Sequence, residues 1–468
     1  MRAFTSLLIV LAVGASIVPT AHGAWAPPAE VPGSTGSAPI ALALVHGRDP
    51  VVTLSGPDLL GPAFSAALPD GTFPPPTRAL AGLAPAGQAT TGGQIATSPG
   101  GRTIVAVRTS TGHGAAPYTG TTRGPSYVLA GDGAAGRAVR VAFRDRFGSS
   151  GSNVISVAIN DRGDAAVLFS HCGSLCEVAV AFKRPRSGFS RPIVLERHAW
   201  RAAGAVTFNE RGDALIAWER PRAQPRLRDV AVRVRTAAGR LTRVAIVGPT
   251  ASIPQFAVTL TDGGAGLVAW HSQGQSEGSV GGPVGVFART VDRAGHLGAL
   301  RTLETSQPFG EDGYAVSGPR IAGHLDAQGR TTLAWTGIAD GHFVVRAIRL
   351  PGDLAPSVIS TPGIDAVLAD LAGDDRGDAL AVWGEGFHGT YPASFDAPHG
   401  ALVVARRAGA AGGFLPPETI ASGPALLWSA FVALAADGSR AALTWTSGGP
   451  LMRSASNSVV AVDPAPFP

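Results

Sequence analysis

The chain has 468 residues, 45% of them apolar, with 38 basic and 33 acidic side chains and a formal charge of +5. That apolar share supports a packed core and excludes a disordered polyelectrolyte, while the near balance of charge excludes binding to a polyanion through net charge alone. With 62 Gly, 37 Pro, two Met and two Cys, the composition describes a turn-rich chain that is neither helical nor framed by several disulfides.

In chain order, Arg2, an apolar run from Leu7 to Val18 and the small residues of Ala21-His22-Gly23 come first. They read as an export signal over residues 1–23, removed before folding. The run is too short to span a bilayer, and no later stretch approaches the roughly 20 apolar residues a spanning helix needs. The expectation is a secreted protein of the extracellular space or cell envelope without a membrane span. A Pro/Gly-rich segment, 24–37, precedes a repeat region over 38–463.

The repeat alternates apolar residues, makes a polar turn ending in Gly, continues in a second β-rich run and places an aromatic six residues after the Gly. The clearest copies are V-A-I-N-D-R-G-D-A-A-V-L-F from Val157, V-T-F-N-E-R-G-D-A-L-I-A-W from Val206, V-T-L-T-D-G-G-A-G-L-V-A-W from Val258, A-G-H-L-D-A-Q-G-R-T-T-L-A-W from Ala322 and L-A-G-D-D-R-G-D-A-L-A-V-W from Leu371. Weaker copies surround Gly47, Gly101 and Gly438, and in the last of these Trp445 falls one residue late. Asn or Asp with Gly suits a tight turn, and period-2 alternation on both sides makes each copy a hairpin. A second hairpin follows each first one, as in Glu177 to Leu195, Asp229 to Val247, Phe343 to Ser360 and Leu402 to Ile420.

Each unit is therefore four strands, here lettered A to D. Four-stranded units in series bury both sheet faces only against neighbours, and closing them into a ring leaves few exposed edges. The predicted fold class is all-β, a single β-propeller of seven or eight four-stranded blades, the first and last copies being degenerate. Trp218, Trp270, Trp335 and Trp383, with Phe169 in register, then read as packing between blades.

The A–B and C–D turns fall on one face of the ring, and the B–C loops and D-to-A links on the other. The second face carries the variation in length, and function concentrates on loops held by a rigid scaffold. Its B–C loops include 271–283 and 384–399, which supply the ligand-binding candidates His271, Glu277, Glu385, His388, Tyr391, Asp396 and His399. Cys172 and Cys176, in H-C-G-S-L-C, read as a local disulfide; with no second pair to complete a tetrahedral site, no metal is assigned. The basic stretch Arg220 to Arg240 lacks interleaved aromatics and reads as a solvated strand face, so no nucleic-acid partner is expected. The G-D-A turns at Asp164, Asp213 and Asp378 lack the calcium-loop spacing and read as turn chemistry. No nucleophile elbow, H-E-x-x-H, phosphate loop or C-x-x-C is present, so no catalytic residue and no cofactor are assigned.

These motifs resemble a class of secreted bacterial repeats of the form D-x-x-G-N-A-x-A-x-W followed by A-R-Y-x-P-G-x-G-W-x-x-P-x-x-I. Gly-Asp-Ala here replaces Gly-Asn-Ala, and the second segment is recognisable at Ala405 to Ile420. Ser98 to Val107 is similar to the S-P-D-G-x-x-I-A-F blade motif of bacterial translocation-associated propellers, with Gly100 in place of Asp. Sialidases share the export and the architecture, but their S-x-D-x-G-x-T-W box puts the aromatic three residues after Gly, and their F-R-I-P motif is not found. The expectation is a non-enzymatic binding or scaffold propeller whose partner is an extracellular glycan or protein; a glycan-processing hydrolase of sialidase-like architecture is the alternative.

Overall fold

The computed structural model describes residues 25–467 apart from 36, 46–48, 56–62, 79–88, 99, 111–127, 133–138, 142–151, 173–175, 200–202, 223–227, 252–253, 273–282, 306–320, 387–399, 410–411, 423–425, 448–456 and 465. The proposed signal at 1–23 lies outside this set. Each described repeat starts from one local event. Gly163 N–H donates to Asn160 O at 2.9 Å and Asn160 N–H to Asp164 O at 3.0 Å, and the same pair of bonds recurs in the turns at 209–213, 261–265, 326–330 and 374–378. The first side chain of the turn closes it: Asp164 N–H donates to Asn160 Oδ1 at 2.9 Å, Ala265 N–H to Thr261 Oγ1 at 3.0 Å and Asp378 N–H to Asp374 Oδ1 at 2.8 Å. Gly163, Gly212 and Gly377 hold φ near +90° (89, 88 and 91°), a conformation that costs a Cβ-bearing residue about 1 kcal/mol or more.

The hairpins assemble into eight four-stranded antiparallel sheets. Blades 1 to 7 take their strands in chain order over 38–78, 89–141, 152–199, 204–250, 255–304, 321–358 and 366–422. Strand A of each blade touches strand A of the next, and that of blade 8 touches that of blade 1, so the ring is closed with eight blades. In blade 8, Leu426–Leu434, Ala441–Ser447 and Asn457–Asp463 are strands A to C, and strand D is Ala29–Glu30 from the other end of the chain. Ala29 stands opposite Val460, and Ala26 N–H donates to Val462 O at 2.8 Å. The segment 24–37 therefore carries a strand of the ring. Arg406 of blade 7, 4% exposed on its side chain, fastens this closure through Asp463 (2.7 Å), Pro466 O (2.9 Å) and the ring of Trp25 (5.4 Å).

Inter-blade packing accounts for the aromatic series. Trp218 joins blade 3 residues such as Leu168 and Val180, Trp270 joins Leu215 and Val232 of blade 4, and Trp383 joins Val345 and Ile359 of blade 6. Each wedge faces the preceding blade and is fully buried. Trp445 fills the same role against blade 7. It arrives one residue late because its turn is one residue longer: Ala435 N–H donates to Arg440 O, two residues past Gly438, where the other turns close one residue past their glycine. Burying an indole removes roughly 200 Å² from water, of order 5 kcal/mol of hydrophobic stabilisation. Among the described residues there is no helix long and apolar enough to cross a membrane.

The A–B and C–D turns share one face and are stitched together. Asp161 N–H donates to Glu210 at 3.0 Å and Glu210 N–H to Asp262 at 2.8 Å, while Asn160 Nδ2 reaches Asn209 O and Asn209 Nδ2 reaches Thr261 O, both at 2.8 Å. Burial, reinforced by Asp161 and Asp262, pushes the Glu210 carboxyl up from its ordinary value. Asp213 accepts from Ala237 N–H of its own C–D turn at 2.7 Å and from Arg293 of blade 5 at 3.0 Å. Burial raises its pKa, but these bonds and that from Asn209 outweigh it and hold the carboxyl below the usual aspartate range. Asp378 accepts from Gly409 N–H in the same manner. Asp213 and Asp378 are thus acceptors that join turns.

Candidate functional site

The opposite face is built from the far ends of strands B, where the wedge tryptophans stand. Strand B continues past the wedge through His171, Arg220, Ser272, Gly337 and Glu385. The sequence-based loops 271–283 and 384–399 therefore begin inside strands, and their first candidates are part of the sheet. His271 is 2% exposed and lies between Gln255 and Val286 in the ladder; alternation turns it away from Trp270, toward blade 6. Glu385 is 6% exposed, and its Oε1 accepts from the Trp383 indole at 2.8 Å and from Thr361 N–H of the preceding link at 2.9 Å. These two candidates hold strand ends beneath the surface. Glu277, His388, Tyr391, Asp396 and His399 lie outside the described residues.

Blade 6 solves the same local problem with different residues. The Trp335 indole donates to Glu304, which arrives from the end of blade 5, also accepts from Ile338 N–H at 3.1 Å and lies 3.6 Å from Arg346. Gly337, at the position Glu385 holds in blade 7, leaves the room that this carboxylate fills. An indole N–H buried beside a blade seam needs an acceptor. One carboxylate comes along the strand and the other across the seam.

At the B–C end of blade 4 the charges are paired locally. Glu219, 1% exposed, meets Arg228; Arg222 meets Asp229 at 2.5 Å; and Arg220 meets Glu196 at 3.3 Å. The Asp229 hydrogen bond pushes the Arg222 pKa up. Farther along the same blade, Arg233 Nε donates to Thr242 O at 2.7 Å, and Arg235 is only 8% exposed, stacked on Phe182 of blade 3 at 4.4 Å. The expected solvated face is thus corrected at Arg235, which the alternation turns into a blade seam. Cys172 and Cys176 are register partners across the B–C hairpin of blade 3; their side chains lie outside the described set.

Connection length changes abruptly at blade 6. Its B–C connection is Asp340–Gly341 alone, with φ of 51° and 80°, the two positive values of a tight hairpin turn. Blade 5 on one side connects through 273–284 and blade 7 on the other through 386–400. On this short step, Asp365 Oδ1 accepts from Phe343 N–H at 2.9 Å and lies 3.3 Å from His342 Nδ1, whose side chain is 41% exposed. This pair was not among the sequence candidates; the D-G dipeptide ahead of His342 was the available signal. Among the described residues, no group of three or more His, Cys, Asp and Glu side chains forms a metal cluster.

No protein-family model and no curated protein sequence matches the chain. Solved structures similar to it include an ulvan lyase of polysaccharide lyase family 25 (13% identity, 91% of each chain, TM-score 0.44). A lectin from Burkholderia pseudomallei is also similar (15% identity, 83% of this chain and 100% of that one, TM-score 0.46), as is an α-L-arabinofuranosidase from Fusarium graminearum (11% identity, 70% and 98%, TM-score 0.38). At these values the likenesses carry no argument about ligand or reaction. The class of protein, an eight-bladed all-β propeller, is defined by the sheet order and ring closure of the chain itself.

Proposed function

We propose that the chain is an exported, non-enzymatic binding propeller that meets a carbohydrate or protein ligand over its B–C face, at the short step of blade 6 between the long connections of blades 5 and 7. The observation that carries this reading is the contrast between the Asp340–Gly341 turn and its neighbours 273–284 and 386–400. Rigid strand ends under connections of unequal length suit a recognition surface. Export rests on residues 1–23, and in the oxidising space it leads to, Cys172 and Cys176 form a disulfide across their hairpin. The hydrolase alternative rests on architecture and export alone. The buried Glu219 and Glu385 and the half-buried Glu304, at this face, each hold an arginine, an indole or a backbone N–H.

An array of extracellular glycans and surface proteins probed with the mature chain tests the reading. Binding is expected to survive Glu385→Gln and to be lost when 274–281 and 387–399 are replaced by short Gly-Ser links. Binding unchanged by both replacements overturns the assignment of the face, and turnover of any arrayed glycan overturns the non-enzymatic part.

A further inference from the structure

The blade repeat places one pair of residues in equivalent positions at successive seams, close to the C–D turns. The first is the penultimate residue of strand C, turned toward the next blade; the second ends strand C of that next blade and turns back. The ladder fixes the equivalence, since Ala165, Ala214, Gly266, Thr331, Ala379 and Ala441 stand opposite Lys183, Arg235, Val291, Leu350, Arg407 and Asp463.

At three of these seams the partners suit each other, and at a fourth the first of them is exposed. Between blades 3 and 4 they are Phe182 and Arg235, stacked at 4.4 Å. Between blades 4 and 5 they are Val234 and Val291, and both belong to one apolar cluster. Between blades 5 and 6 they are Thr290, which is exposed, and Leu350. Between blades 7 and 8 they are Arg406 and Asp463, a buried ion pair at 2.7 Å. Between blades 6 and 7 they are Arg349 and Arg407, two cations.

Arg407 is 4% exposed, and its Nε donates to Gly412 O at 2.8 Å. Nε and Nη1 of Arg349 are buried and have no acceptor among the described residues. A third cation, Arg330, stands at the same seam, where blades 3, 4 and 7 carry the turn aspartates Asp164, Asp213 and Asp378. The nearby carboxylates are already engaged: Asp326 accepts from Arg330 Nε at 2.7 Å, and Asp353 accepts from Arg349 N–H at 2.7 Å. Three guanidiniums thus face two carboxylates. Burial, with Arg349 and Arg330 adding to it, lowers the Arg407 pKa despite Asp353 and Asp326.

We propose that the seam between blades 6 and 7, on the turn face, is a binding site for a small oxoanion of the sulfate or phosphate class, held by Arg349 and Arg407 with Arg330 at its edge. A tetrahedral oxoanion supplies the charge this seam lacks and the acceptors that Nε and Nη1 of Arg349 lack, in the geometry a guanidinium favours. The site is on the opposite face from the proposed ligand surface and is independent of it.

Calorimetric titration of the full chain with inorganic sulfate and with inorganic phosphate, in chloride buffer at constant ionic strength, tests this. A sulfated monosaccharide is run in parallel to tell a seat for a free ion from one that accepts an ester. The wild type is expected to bind at least one of the three saturably, with at least tenfold weaker binding in Arg349→Phe and in Arg407→Met. Arg349→Phe recreates the Phe182–Arg235 pairing, so it is expected to fold and to match or exceed the wild-type melting temperature in chloride. Sulfate also stabilises proteins generally by exclusion from their surface, so stabilisation that does not saturate and is equal in wild type and variants overturns the site. A lower melting temperature of Arg349→Phe in chloride overturns the premise that the two cations lack a partner.

Discussion

On the turn face, connections 160–164, 209–213 and 374–378 share one length and one hydrogen-bond pattern, while on the opposite face the B–C connections range in length from Asp340–Gly341 alone to 111–127. The difference lies in what each connection has to satisfy. A turn on the first face donates to its neighbour, as Glu210 N–H does to Asp262, so its conformation is shared with the next blade. A B–C connection begins after its strand has been anchored by a wedge tryptophan and, in blades 6 and 7, by a carboxylate on the indole. Its length is then free to vary, because the anchoring is complete beneath it.

The largest test of this contrast is the wedge. Trp218→Ala empties a fully buried site between blades 3 and 4 and is expected to cost about 3–5 kcal/mol in urea unfolding. A smaller effect, about 2 kcal/mol, is expected for Asp213→Ala, which leaves Ala237 N–H without its acceptor and Arg293, 42% exposed, without its partner. If that loss is instead a few tenths of a kcal/mol, the turn face is less stitched than its geometry indicates. Glu385→Ala is expected to cost about 1–2 kcal/mol through the Trp383 indole and Thr361 N–H while leaving ligand affinity unchanged; lost affinity at full stability would return Glu385 to the binding surface.

The fourth test is pH. His324 of blade 6 packs over Gly373 of blade 7, with its Nε2 3.1 Å from Asp374 O. Burial lowers its pKa from the ordinary value near 6.5, against the opposing influence of the Asp374 carbonyl, Asp375 and Asp326. A histidine depressed in the folded state stays neutral there, so its contribution is complete above the unfolded value and is lost as pH falls through it. The double variant His324→Thr with Gly373→Leu copies the equivalent pair Thr259 and Leu325. It is expected to flatten the acid side of the stability profile, read as urea midpoints between pH 7.5 and 5.

Much of this architecture was legible because the turns impose chemistry on the residues that form them. Asn160 and Asn209 must accept from the N–H four residues on, Gly163 and Gly212 must tolerate positive φ, and the wedge must sit at a fixed distance along strand B. Blade number was not legible, since strand D of blade 8 lies at Ala29–Glu30, far from its sheet in sequence, and the longer turn before Arg440 shifts Trp445. His271 and Glu385 resemble loop residues by type but continue the strand alternation past the wedge. Glu304 gave no local signal, because its partners Trp335 and Gly337 belong to another blade. Arg349 and Arg407 emerge only when the C strands of successive blades are placed in register.

The strand pair Ala29–Val460 and Glu30–Val459 makes neighbours of the first and last described strands, latched without a covalent link. Such an arrangement makes the point at which the ring of strands is opened a matter of convention. Joining 467 to 25 through a short linker and cutting instead within 387–399 would yield a circular permutant with the same eight sheets. Its non-covalent seam would then lie inside blade 7, between strands already paired as a hairpin.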